Sequence, residues 1–369
     1  MKIHPDSATK TANIIIDFFS NINRIDDYFR LRKIERVKNL PPPIPGFGLE
    51  DDMFQNYDMY PEDMDIEVTQ IDNQTFNAML EKVASFSPDQ APGKELKLVV
   101  KEKNTNTILG FIKLGSPIIN SKPRNNYLDG VPELTIFNQR AIMGFVIVPV
   151  QPFGFNYLGG KLMALICTSH KVREMLNDKY DTEFCLFETT SLYGNIKGTS
   201  MYDGLKPFLR FKGDTISKFV PTLGEEAYSS CKKIVEDDIQ DEIIHKDASS
   251  RKLKITTKII SLVKSSLKET DINLYEKFVS AITKAESVTT QKRFYMSDYG
   301  YENTRDVLLG KTETLIKGPN YHKHDLENII SWWKRKASSR YNKLKSEDRI
   351  RKELEVWNAD TMNKIDIIR

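Results

Sequence analysis

The stretch Ile142–Lys161, IMGFVIVPVQPFGFNYLGGK, constrains the fold more than any other part of the chain. It opens as an apolar run from Ile142 to Val150 with three valines and no charge. A run of that length and composition reads as a strand buried on both faces. Pro149 cannot donate to a ladder, so a bulge or a splayed end is expected there. Gly154, Gly159 and Gly160 follow within seven residues, and then Leu162, Leu165, Ile166 and Val172 recur at helical spacing. Buried strand, glycine turn and helix therefore come in that order. Such a turn either aims backbone N–H groups at an anion or is a plain tight connection between strand and helix.

At 369 residues the chain is long enough for a substantial core and two or more structural units. No run of about 18 apolar residues is present, so no membrane span is expected. The opening MKIHPDSATK lacks the apolar core of a signal peptide behind it, because Asp17 interrupts Ile14–Phe19. Cys167, Cys185 and Cys231 have no metal-ligand spacing and leave one thiol over. Cys167 and Cys185 lie in apolar runs and read as core residues, and the three together point to a reducing cytoplasm, the host's if the chain is viral. A net charge of +3 does not argue for nucleic acid by itself, so the placement of charge matters more than its sum. His322 and His324 are two apart without a supporting cluster, and no metal is expected. Neither a phosphate-binding Walker loop nor a serine nucleophile elbow is present.

Residues 12–37 carry Ile15, Phe18, Ile22, Ile25 and Phe29 at alternating spacings of three and four, a helix with a narrow apolar seam. That seam docks on the chain's own core or on a partner protein. PPPIPGFG at 41–48 reads as an extended strap, and the acidic segment 50–65 as irregular structure. From Ile66 the pattern is that of an α/β domain. Ile66–Ile71 is a strand, and Asp72 or Thr75 caps a helix bearing Phe76, Met79, Leu80 and Val83. Leu96–Lys101 and Ile108–Leu114 form a hairpin across KNTNT. Residues 116–132 read as a long loop, the helix after the glycine turn runs to about Tyr180, and Phe184–Thr189 is a second buried strand. This divides the chain into an N-terminal arm (1–65), a core domain (66–220) and a C-terminal helical, basic region (221–369).

In the last region, Lys252–Lys268 reads as a basic amphipathic helix with Leu253, Thr257, Ile260 and Lys264 on one face, where Ile255, Ile259 and Leu262 widen the apolar stripe. Residues 291–306 interleave Lys292 and Arg293 with Phe294, Tyr295, Tyr299 and Tyr301, a pattern that suits either a packed loop or single-stranded nucleic acid. Leu326, Ile330, Trp333, Ala337, Tyr341 and Leu344 then share one helical face. From Ser331 to Lys352 there are nine Lys/Arg against two acidic residues. Lys334, Arg335, Lys336, Arg340 and Lys343 are the candidate phosphate contacts, with a solvated helix face as the alternative.

The order of elements over 66–215 resembles the N-acetyltransferase family known as GNAT. KLVVKEKNTNTILGFIKL is similar to that family's second and third strands, and Gln151–Asn156 resembles its acyl-CoA loop, with Asn156 where the family has a small residue. A second register sets Gly159 and Gly160 at the helix start. Asn195–Phe208 looks like the segment that carries the family's catalytic tyrosine, here Tyr202. The resemblance implies an α/β fold with a mixed, largely antiparallel sheet flanked by helices. It also implies acetyl-CoA as cofactor, held by Val148, Val150, Gln151, Gly154, Asn156, Gly159 and Gly160. Tyr202 is then the general acid, and Glu133 or Glu188 the general base. Either carboxylate, buried near an apolar strand, would have a raised pKa. Arg140 or Lys161 is the expected partner of Glu188, and a structural ion pair is the plainer alternative. Asn138, Arg140, Pro149, Glu188, Thr189, Gly198 and Tyr202 also match the DruA family of the Druantia anti-phage system, over roughly 95–215. That similarity implies phage or defence biology without a reaction. Two functions therefore stand side by side: an acyl-CoA-dependent N-acyltransferase, or a catalytically silent relative that binds nucleic acid.

Overall fold

A computed structural model describes residues 2–39, 50–86, 93–191, 193–194, 198–215, 222–244, 251–288 and 292–367. The proline-rich strap at 41–48 and Asn195 lie outside the described residues. Two helices open the chain, α1 (Pro5–Ser20) and α2 (Ile25–Lys38). The single helix expected over 12–37 is thus two, because Asp27 starts the second by accepting from the backbone N–H of Arg24 at 2.8 Å and Asn23 at 3.0 Å. β1 (Ile66–Gln70) precedes α3 (Asn73–Val83), which Asp72 caps by accepting from Thr75 N–H at 2.9 Å. β2 (Glu95–Glu102) and β3 (Thr107–Gly115) form the expected hairpin. The region read as a long loop instead holds α4 (Lys122–Leu128), and α5 (Leu134–Arg140) follows it. Pro123 sits in the first turn of α4, where its missing N–H costs no helical bond. β4 (Ala141–Pro149) leads through the short α6 (Phe153–Asn156) into α7 (Gly159–Cys167) and α8 (His170–Tyr180). A cap at Ser169, which accepts from Val172 N–H, splits what the sequence suggested as one helix. Then come β5 (Leu186–Ser191), β6 (Arg210–Asp214), α9 (Glu225–Ile239), α10 (Arg251–Thr270), α11 (Ile272–Ser287), β7 (Arg293–Ser297), α12 (Thr304–Leu308) and α13 (Leu326–Ser346).

The seven strands make one sheet in the order β1-β2-β3-β4-β5-β7-β6. Every pair is antiparallel except β4–β5, which is parallel. This is the α/β, mixed and largely antiparallel sheet flanked by helices that the sequence predicts, a GNAT-like arrangement. One strand is new. Residues 293–297 are not a basic, aromatic loop but β7, between β5 and β6, and Phe294, Tyr295, Tyr299 and Tyr301 are buried. The bulge is also displaced. Pro149 still faces Gly110 at the end of the ladder, and the extra residue is Phe145, where the register steps from Lys113↔Val146 to Leu114↔Gly144.

Contacts divide the chain into two compact units rather than three consecutive blocks. One comprises Met1–Asn39, Ser217–Thr290 and Asp366–Arg369; the other comprises Leu40–Ile216 and Gln291–Ile365. In the first, α1 packs against α9, α10 and α11, so the apolar seam of the N-terminal arm is covered by the chain's own helices. The buried stripe of α10 is Ile255, Ile259, Leu262, Val263 and Leu267; Leu253, expected on the packed face, is exposed. In the second unit, Phe76, Met79 and Val83 of α3 pack on Val99, Phe111, Val146 and Val150 at one face of the sheet. On the other face, Leu162, Leu165 and Ile166 of α7 and Trp333 and Tyr341 of α13 join Leu98, Ile112 and Ile142 in a larger core.

Candidate functional site

The glycine turn is where the sequence offered an anion a seat. The polar groups of its first part, Val150–Tyr157, are already in use. Val150 turns its N–H toward β3 and donates to Leu109 O at 2.8 Å, while Val148 lies opposite Phe111. Gly154, Asn156 and Tyr157 donate to the carbonyls of Val150, Pro152 and Phe153 at 2.8–3.0 Å. Phe155 N–H goes to the Gln151 side chain at 3.1 Å, so Gln151 caps the short helix from within. The Asn156 amide is fully buried and pairs with the backbone of Arg351 like a peptide group. It donates to Arg351 O at 2.7 Å and accepts from Arg351 N–H at 3.1 Å. Glu355 N–H reaches Gln151 O at 3.0 Å, so the segment after α13 is fastened across this turn. Here Asn156 does what the family's small residue could not.

Gly154 and Gly159 answer to packing, whereas Gly160 meets only the flexible, exposed end of Met201. A Cβ on Gly154 would lie 2.7 Å from the Pro149 ring. One on Gly159 would meet the Phe153 ring at 2.6 Å, and one on Gly160 the Met201 sulfur at 2.7 Å. Real Cβ atoms do not approach that closely. Gly159 and Gly160 still open α7, as the second register has it, and both are buried.

The two candidate carboxylates meet opposite fates. Glu133 is exposed and caps α5, accepting from Ile136 N–H at 2.8 Å. That bond holds its carboxyl below the usual range, which corrects the expectation of a buried carboxylate with a raised pKa at this position. Glu188 is fully buried in β5, and burial pushes its carboxyl up to about 7 against the pull of the Arg124 guanidinium. Arg124 Nη1 stands 3.0 and 3.2 Å from the two oxygens. The same guanidinium donates to Ile118 O at 2.8 Å and to Ile119 O, and lies 4.0 Å over the Phe137 ring. The partner is therefore neither Arg140, which pairs with Glu183 at 3.2 Å, nor Lys161, whose ammonium points to Asp203 O at 3.4 Å. Arg124 was missed because it stands in a polar, proline-bearing stretch with no periodicity. Its one signal is that a glutamate in an apolar strand must find a cation somewhere.

Tyr202 lies in the core, edge-on to Tyr295 with ring centroids 5.3 Å apart. Burial pushes its phenol far up, against a smaller opposing pull from the neighbouring Thr189 side chain. Thr189 in turn donates to Gly144 O at 3.0 Å. This matters because Gly144↔Thr189 is the last rung between β4 and β5. Beyond it β4 continues on β3 and β5 on β7, so the two parallel strands part beside Tyr202. The structure thus brings Tyr202 to β5 beside Thr189, leaves Glu133 at a helix start, and keeps Gln151–Tyr157 as a closed turn that leads to Gly159 and Gly160 at the start of α7.

The cations of α13 are a different case. Ile329, Trp333, Ala337, Tyr341 and Leu344 bury one face, and Trp333 fixes its register by donating to Tyr157 O at 2.9 Å. One flank is tied to the acidic segment: Lys334 donates to Glu62 O and Lys345 to the Tyr60 hydroxyl, both at 2.9 Å. Arg340 reaches Phe155 O at 3.3 Å, and Lys343 stands 3.9 Å from Glu347. Arg335 and Lys336 are exposed, and no acidic side chain pairs with either among the described residues. Among those residues no cluster of His, Cys, Asp and Glu could hold a metal ion, and no helix is long and apolar enough to cross a membrane. The three cysteines are buried free thiols.

A protein-family model for Druantia protein DruA matches residues 45–199. The similarity thus begins earlier than the quoted motifs, takes in β1 to β5, and ends before Tyr202 and α13. No curated protein and no solved structure matches the chain.

Proposed function

We propose that the chain is a DruA-like protein of phage or defence context that binds nucleic acid through the outward face of α13, on a GNAT-like core that no longer transfers acyl groups. The carrying observation is the pair Arg335 and Lys336, exposed and without acidic partners among the described residues, on a helix whose other face is locked into the core. Cations spent on structure contribute little to a phosphate partner, whereas unpaired surface cations release counterions when one binds. The closed turn supports the same reading, since Gly154, Phe155, Asn156 and Tyr157 have no N–H left for a pyrophosphate.

The test is fluorescence anisotropy with labelled oligonucleotides at salt from about 50 to 200 mM, where phosphate contacts predict a steep linear fall of log affinity with log salt. Absence of binding at the lowest salt rejects the proposal. A second reading, acyl transfer with Tyr202 as general acid and acetyl-CoA as cofactor, is kept by one observation: β4 and β5 part beside a phenol that retains its proton. Thermal unfolding with and without acetyl-CoA up to about a millimolar separates the two. Ligand at 100 times its Kd adds about 2.7 kcal/mol, and the proposal expects no shift.

A further inference from the structure

Two partly exposed aromatic rings stand among the cations of α13, and each already carries a cation on it. Trp332 has the Lys336 ammonium 5.8 Å from its ring and rests on Phe208 at 5.7 Å. Phe155, at the tip of the closed turn, has the Arg340 guanidinium at 4.6 Å and that of Arg351, itself 3.4 Å from Glu355, at 3.8 Å. Trp332, Lys336, Arg340 and Lys343 are spaced four, four and three residues apart, so they run along one side of the helix. From Trp332 to Arg340 that line is about 12 Å long at the helical rise of 1.5 Å per residue. The Lys161 ammonium is held down by burial and by Lys336, which places a further cation beside the same line. Arg349 and Arg351 bear on Arg340 in the same way. The acidic segment lies against the opposite flank, at Lys334 and Lys345.

An all-cation surface would serve any polyanion. Aromatic rings set among cations serve one kind in particular, a strand whose bases are free to stack. A duplex hides its base faces, so the rings gain nothing from it. We infer that the line Trp332–Lys336–Arg340 with Phe155 is a single-strand platform, on which bases stack at the two rings while Lys336, exposed and without an acidic partner among the described residues, holds the backbone. This rests on the nucleic-acid reading above and names its substrate as single-stranded rather than duplex.

The experiment uses the full chain with a labelled oligo-dT and a duplex of equal length. Single-strand affinity is expected to exceed duplex affinity at least fivefold, and Phe155→Leu to weaken single-strand binding about 5-fold or more while Phe155→Trp keeps it. The slope of log affinity against log salt stays unchanged in both variants, because no cation is removed. A second readout needs no variant. Of the three tryptophans, Trp333 and Trp357 are fully buried, so quenching of the intrinsic emission by oligo-dT reports on Trp332. Quenching supports the platform; binding without quenching, or equal duplex binding with Phe155→Leu unaffected, overturns it and leaves the broader reading standing. Failure of every nucleic acid to bind overturns both. Competition by polyglutamate as effective as oligo-dT assigns the face to an acidic protein and overturns the platform.

Discussion

The turn after β4 and the outer face of α13 look alike as sequence, since each offers groups that suit an anion. They differ in whether those groups are committed. At the turn, the backbone N–H groups of Val150 and Gly154–Tyr157, the Gln151 side-chain oxygen and the Asn156 amide find partners within the chain. On α13, Arg335 and Lys336 find no acidic partner among the described residues. A motif records which donors a chain possesses; binding depends on the donors that folding leaves unspent.

Removing a committed cation is the strongest way to press this comparison. Arg124→Ala should destabilise by about 3–5 kcal/mol in urea unfolding, because it strands Glu188 in the core, whereas Arg335→Ala should stay within about 0.5 kcal/mol. A small effect at Arg124 would mean the buried pair is relaxed by water. The same pair gives the pH dependence. Glu188 is raised from 4.5 to about 7 in the folded chain, so the folded state binds the extra proton between those values. Stability should therefore fall as pH rises through that window, and Glu188→Gln should flatten that part of the profile.

Next in size is Asn156→Ala, which removes two hydrogen bonds to the Arg351 backbone and should cost about 1–3 kcal/mol. Oligonucleotide affinity should change little. A loss of binding larger than the loss of stability would show that the turn is not merely structural. The double reversal Arg335→Glu with Lys336→Glu should do the opposite. It should weaken binding more than tenfold and reduce the salt slope by about two, with the unfolding midpoint unchanged. The smallest effect is expected at Glu133→Ala, a slight fall in the unfolding midpoint from a lost helix cap. If an acyltransferase assay detects activity, that variant should retain it, since the carboxylate is spent on Ile136.

What the sequence made legible follows from range. The hairpin, the central strand and the packed face of α13 are local patterns, written by periodicity within one element, and the structure has them. The Glu188 partner and β7 were not legible, because each is settled by residues distant in the chain. Arg124 comes from a stretch that carries no pattern, and 293–297 mixes cations with aromatics until its neighbours in the sheet are known. Pro149 misled by being the most obvious break in β4, while the bulge fell at Phe145, where no residue type announces it. Asn156 was noticed as a departure from the family, yet its use as a surrogate peptide group depends on a segment nearly two hundred residues later.

The position of β7 has a consequence for how the chain is made. β5 ends at Ser191 and its neighbour β7 begins at Arg293, with the residues of the helical unit between them. On a ribosome adding roughly 5–20 residues per second, the edge of β5 emerges and waits on the order of ten seconds for its partner. Throughout that interval a strand carrying Phe187 and an unpaired edge stands open to other chains. Synthesis of this protein is thus a race between completion of the sheet and association of nascent chains, and a fragment that stops at residue 199 never finishes it.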